Sequence, residues 1–240
     1  MDVTPASVFA QLSEEERVTC RLLVASEDED WTLLMDLMRK YERYFKVQLE
    51  GAKALWFHSN PAQMGGVGGE QVAAKQETLR QAGGPQALVR AGNRFYREVT
   101  LVQPWLVGAL VHLAEGSARV QNFLINAGAI QLLLKLMKRH PHHEKIVDVS
   151  CTCLRMVIGT AIVNVQFARN LGLGRALVKA LHDHPHPIET AWQDRSARPM
   201  LRTMKINIRK AMKRFRKELK AKEKRKQELR EAAEDEDSFE

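Results

Sequence analysis

The chain has 240 residues, 45% of them hydrophobic, which is enough for a core and excludes a wholly disordered polypeptide. Aromatics make up only 6%, and a composition rich in Leu, Ala, Lys, Arg, Glu and Met disfavours a β sandwich or barrel and predicts helices. The 37 basic and 29 acidic side chains leave a net charge of +8. That average hides a net −5 over residues 1–50, +8 over 51–201, +11 over 202–230 and −6 over 231–240. Three cysteines (Cys20, Cys151, Cys153) cannot staple a fold of this size, so a reducing compartment is expected. No apolar run reaches about 18 residues and the N-terminus is acidic, so neither a transmembrane helix nor a signal peptide is expected.

Residues 1–29 read as N-terminal helices. Thr4-Pro5 offers an N-cap and a proline at the first helical position, and Ser13-x-x-Glu16 is a capping box opening a helix through about Ala25. The acids Glu27–Asp30 precede Trp31, where a first helical turn would place them against the helix dipole. From Trp31 to Phe57, the apolar residues Leu34, Leu37, Met38, Tyr41, Phe45, Leu49, Ala52, Leu55 and Trp56 recur at steps of three and four. The pattern fits one long helix or two shorter ones broken near Lys40–Phe45. Asn60-Pro61 and the run MGGVGG (Met64–Gly69) predict a flexible loop over 60–70. It lacks the Gly-Lys-Ser/Thr of a phosphate cradle.

Beyond the loop the chain repeats. Arg80–Arg90 (RQAGGPQALVR), Ile125–Lys135 (INAGAIQLLLK) and Arg169–Lys179 (RNLGLGRALVK) align on Gly83, Gly128 and Gly172, 45 and 44 residues apart. The second and third copies run on to His140-Pro141 and His184-Pro185. A period near 44 with short helices between breakers marks a helical repeat array. Ala127–Ile130 followed by Leu133–Leu136 resembles the armadillo signature, in which a glycine separates a short first helix from the second. Pro104–Ala114, Ile146–Ile158 and about Ile188–Ile208 resemble its long third helix.

The resemblance implies an all-α fold, a short right-handed armadillo/HEAT-like solenoid of about four repeats over residues 30–201, completed by a long basic C-terminal helix. Gly83, Gly128 and Gly172 are then expected in left-handed corners, with Leu88, Leu133 and Leu177 as equivalent core positions. The armadillo groove is lined by third helices, and its importin-like branch carries an Asn there. Here that place falls to His112 and Met156, with Phe57 in the first repeat, so the Asn ladder is replaced. A groove of Phe57, Trp105, His112, Arg155 and Met156 suits a partner helix or a packed protein surface, or burial by an adjoining segment of the same chain.

Other constellations read as structural. His140, His142 and His143, then His182, His184 and His186, cluster in two turns. His-Pro is a helix-stopping turn, and no Cys or acid recurs with them at zinc-ligand spacing. Cys151 and Cys153 fall in a third helix as small core residues. No catalytic arrangement emerges, so an enzyme is not expected, nor a cofactor.

Met204, Ile208, Met212, Phe215 and Leu219 give the helix over about 196–219 an apolar stripe, suited to capping the last repeat. The charge continues through Lys220–Arg230, and residues 202–230 as one helix would be about 43 Å long. Lys210, Lys213, Arg214, Arg216, Lys217, Lys220, Lys222, Lys224, Arg225 and Lys226 form an electrostatic docking element. The acidic tip 231–240 (EAAEDEDSFE) reads as disordered. The expected function is a scaffold docking into a larger assembly through protein partners, with the basic helix on an acidic surface such as tubulin. RNA phosphates are the alternative target, and no membrane partner is expected. The habits of the armadillo family point to the cytoplasm, and there to a cytoskeletal or ciliary setting.

Overall fold

The computed structural model describes residues 12–63, 69–99, 105–114, 118–159 and 162–183, and the secondary structure among them is entirely helical. The predicted turn at Thr4, most of the MGGVGG run, the third-helix candidate at 188–208, the basic helix and the acidic tip lie outside the described residues.

Helix α1 (Glu14–Glu27) starts where the capping box places it. The Ser13 hydroxyl accepts the Glu16 amide at 3.3 Å, and the Glu16 carboxylate accepts the Ser13 amide at 2.9 Å. That second bond, with the hydroxyl, holds the Glu16 carboxyl below its ordinary value. Helix α2 (Trp31–Lys40) has no acid in its first turn. Asp30 precedes it as the N-cap, accepting the Leu33 amide at 3.0 Å, so this acid acts through a cap hydrogen bond instead of from the first turn. Helix α3 (Phe45–Ser59) is separate from α2, which decides the Trp31–Phe57 pattern in favour of two helices. The apolar spacing runs unbroken across the gap, so periodicity was blind to it. The break is closed by Gln48, whose amide Nε2 donates to the Met38 carbonyl at 2.8 Å and the Tyr41 carbonyl at 3.2 Å.

After a 3-10 turn (Pro61–Gln63) come α4 (Gly69–Gln81), α5 (Gly84–Phe95), α6 (Val107–Ala114), α7 (Ala118–Asn126), α8 (Ala129–Arg139), α9 (Glu144–Ile158), α10 (Ile162–Asn170) and α11 (Leu173–Asp183). Gly83, Gly128 and Gly172 stand between α4 and α5, α7 and α8, α10 and α11. Their φ values of 95°, 88° and 92° lie in the left-handed region where a side chain is disfavoured. The equivalent corner between α1 and α2 holds Glu29 at φ 55°, the one non-glycine with positive φ among the described residues.

The contacts follow the same period. Helices α2, α5, α8 and α11 touch in succession, and so do α3, α6 and α9. Helix α4 bridges α3 and α6, and α7 bridges α6 and α9. Leu88, Leu133 and Leu177 are buried, as their equivalence predicts, within one apolar cluster running from Val18 to Ala180. Cys151 and Cys153 point to different sides of α9, yet both are buried because that helix has α6, α7, α8 and α10 around it. Burial pushes the Cys153 thiol far above its ordinary range, so it stays protonated and unreactive.

Buried polar side chains close the C-terminal ends of α3, α6 and α9. Gln76 of α4 donates to the Ser59 carbonyl at 2.9 Å, and Asn164 of α10 donates to the Ile158 carbonyl at 3.3 Å. Arg80 reaches the Leu113 carbonyl at 3.4 Å. Each supplies a donor to carbonyls that a helix C-terminus leaves unpaired.

Candidate functional site

The sequence-predicted groove residues all lie on or next to the successive helices α3, α6 and α9. Trp105, His112, Arg155 and Met156 are half-buried, and Phe57 is 49% exposed. No residue of α6 is fully exposed, and none of α9 beyond Lys145 is, so this face is recessed.

Trp105 meets Trp56 edge to face at 5.2 Å, and Lys53 Nζ stands 5.8 Å from the Trp105 ring. A Cβ at Gly108 would come within 2.8 Å of the Trp56 ring, so the glycine makes the seat for that indole. Met156 packs against the core. Phe57 sits apart from the tryptophan pair: its ring lies 5.2 Å from His58, which faces the α1–α2 corner. Of the predicted groove, the structure therefore sets Trp105 with Trp56, while Phe57 is exposed with its ring against the adjacent His58. Trp56 was part of the apolar periodicity in the sequence, and only the helix rotation shows that it is the residue beside Trp105.

The corner that His58 faces is polar. His58 Nε2 is 3.3 Å from the Ser26 hydroxyl, its ring is edge-on to Trp31 at 4.8 Å, and Lys75 pairs with Glu29 beside it. Burial first, and the Lys75 charge second, hold His58 below its ordinary pKa of 6.5, against the smaller opposing pull of Glu29. The unfolded chain thus binds this proton more readily than the folded one. Stability from this group should be present above pH 6.5 and fall as the pH drops below it. Replacing His58 with Gln should flatten that part of a Tm-against-pH curve. An unchanged slope would remove His58 from the cause.

The histidine turns do structural work where they are described. His140 is the C-cap of α8, and its Nε2 lies 2.6 Å from the Tyr96 carbonyl, 44 residues earlier in the neighbouring turn. His143 caps α9, with Nδ1 accepting the Ile146 amide at 3.4 Å. The side chains of His182, His184 and His186 lie outside the described residues. Among the described residues no three His, Cys, Asp or Glu side chains come together as a metal-ligand set. No single described helix is long and apolar enough to cross a membrane.

One set of residues was missed. Arg90, Lys135 and Lys179 close the three aligned segments at spacings of 45 and 44, and they fall on α5, α8 and α11, which touch in succession. Helices α5 and α8 carry no acid at all, and α11 carries only Asp183. Lys135 Nζ donates to the Asn93 carbonyl at 3.2 Å and sits 3.8 Å from the Tyr96 ring, which ties α8 to the end of α5. The repeat alignment held this ladder in plain view at its last column. Lys210, Lys213, Arg214, Arg216, Lys217, Lys220, Lys222, Lys224, Arg225 and Lys226 lie outside the described residues.

Compared with protein-family models, curated proteins and solved structures, the chain has no significant match.

Proposed function

We propose that the chain is a short right-handed armadillo-like solenoid that serves as a non-enzymatic scaffold docking into a larger assembly. The observation that carries this reading is the recurrence of one left-handed glycine corner at Gly83, Gly128 and Gly172, with helices that touch in succession at the same period. Counting α1–α3 as a first unit, with the sequence candidate at about 188–208 completing the last, gives about four repeats. Such arrays offer extended faces for protein partners, here the recessed face of α3, α6 and α9 with Trp105, His112, Arg155 and Met156.

The basic segment 202–230 supplies an electrostatic contact to an acidic partner surface, of which tubulin is the type, in a cytoskeletal or ciliary assembly of the cytoplasm. The test compares the full chain with a 1–201 truncation for binding to microtubules and to RNA across a salt series. Microtubule affinity should fall with salt, and truncation should weaken it at least about tenfold at low salt. If truncation leaves binding unchanged, the electrostatic part of the proposal fails. If the full chain binds RNA with a steep salt slope and ignores microtubules, its partner is a ribonucleoprotein.

A further inference from the structure

The basic ladder ends in a groove. Between α8 and α11 the structure leaves a cavity of about 560 Å³, with Pro141 and Val147 from the following turn and helix at its side. Its floor is apolar, built by Leu134, Met137, Ala176 and Ala180. Its rim is basic, with Lys135, Lys138, Arg175 and Lys179 facing the single acid Asp183. Lys138, Arg175 and Lys179 are exposed.

A phosphate backbone would use the rim and leave the floor empty. A peptide that carries both carboxylates and a hydrophobic side chain uses the two together. One such segment lies outside the described residues. Residues 231–240 (EAAEDEDSFE) have six acids, no base, and Phe239, the only aromatic after Phe215.

We propose that this groove is the seat of the chain's own acidic tip, with Phe239 on the apolar floor and the carboxylates of 231–240 against the basic rim. The described chain reaches Asp183, which itself lines the groove, so the tip is tethered at its own docking place. Residues 184–201 can span about 60 Å when extended, enough to let a helix over 202–230 run back toward the groove. The nearer basic residues of 202–230 match the tip in charge. Their apolar stripe (Met204, Ile208, Met212, Phe215 and Leu219) is expected to be engaged in capping the last repeat, which leaves Phe239 only Leu229 beyond it. Seated in the groove, the tip competes with any acidic, hydrophobe-bearing partner for the ladder, and the tether favours it until a tighter partner arrives.

The test is photo-crosslinking in the full-length protein, with benzoylphenylalanine in place of Phe239, at low protein concentration. Mass spectrometry should find adducts within one chain on α8 and α11, around Leu134–Lys138 and Ala176–Ala180. Reversing the exposed pair Lys138→Glu and Lys179→Glu should cut their yield about fivefold with the Tm unchanged. Adducts confined to 202–230, adducts only between two chains, or adducts on the face of α3, α6 and α9 would each overturn the proposal, as would their absence.

Discussion

Replacing Leu133 with alanine should destabilise the chain by about 2–5 kcal/mol, the range for truncating a fully buried leucine where the surroundings cannot collapse. Leu133 is 0% exposed on α8, a helix flanked by α5, α7, α9 and α11 on successive sides. With neighbours on all of them, the lost methyl groups leave a cavity instead of a dimple. For a domain of 150–250 residues each kcal/mol is worth about 2–4 °C, so a thermal melt would register the change clearly. Leu133→Met, which nearly keeps the volume, should cost less than about 1.5 kcal/mol. A melting midpoint that does not move for Leu133→Ala would sink both the burial and the repeat register that led to it.

The second large effect belongs to a polar residue. Gln48 is 1% exposed, and its amide closes the last carbonyls of α2. Gln48→Met keeps the length of the side chain and removes both donations, leaving the Met38 carbonyl buried without that partner. The expected cost is about 1–3 kcal/mol, the desolvation penalty of an unsatisfied acceptor. Denaturant unfolding gives the value directly. Gln48→Glu should be no better, because a carboxylate has no proton to offer two carbonyl oxygens. If Gln48→Met unfolds at the wild-type midpoint, the α2–α3 break is held by other means, such as the Tyr41–Tyr44 ring stack at 5.7 Å.

These two residues also mark how far the amino-acid pattern could be read. Leu133 was legible because a repeat exposes its own core: three segments sharing a glycine and a leucine at one offset constrain each other. The capping box at Ser13 was legible because both partners are local. Gln48, Gln76 and Asn164 were not, because each acts on a carbonyl of a different helix, and nothing in a polar residue's neighbours announces a distant acceptor. The candidate groove was legible only as a set of third-helix positions. Which side chain of α3 meets Trp105 depends on helix rotation, and one step along the chain separates Trp56 from Phe57. The basic ladder was visible as spacing, but its meaning needed the helix order that sets α5, α8 and α11 in succession and brings Lys135 and Lys179 to one cavity.

The α1–α2 corner differs from its three counterparts in what holds it. At Gly83, Gly128 and Gly172 the left-handed turn needs only the absence of a side chain, which no change of buffer can alter. At Glu29 the same turn costs about 1 kcal/mol of backbone strain, and the carboxylate beside it pairs with Lys75 of α4. An ion pair with Glu29 half-exposed is screened by salt. Tolerance to ionic conditions is therefore graded along the chain: the first corner is conditional, and the later ones are fixed by covalent structure alone. Rising salt should loosen the α1–α2 corner before the glycine corners.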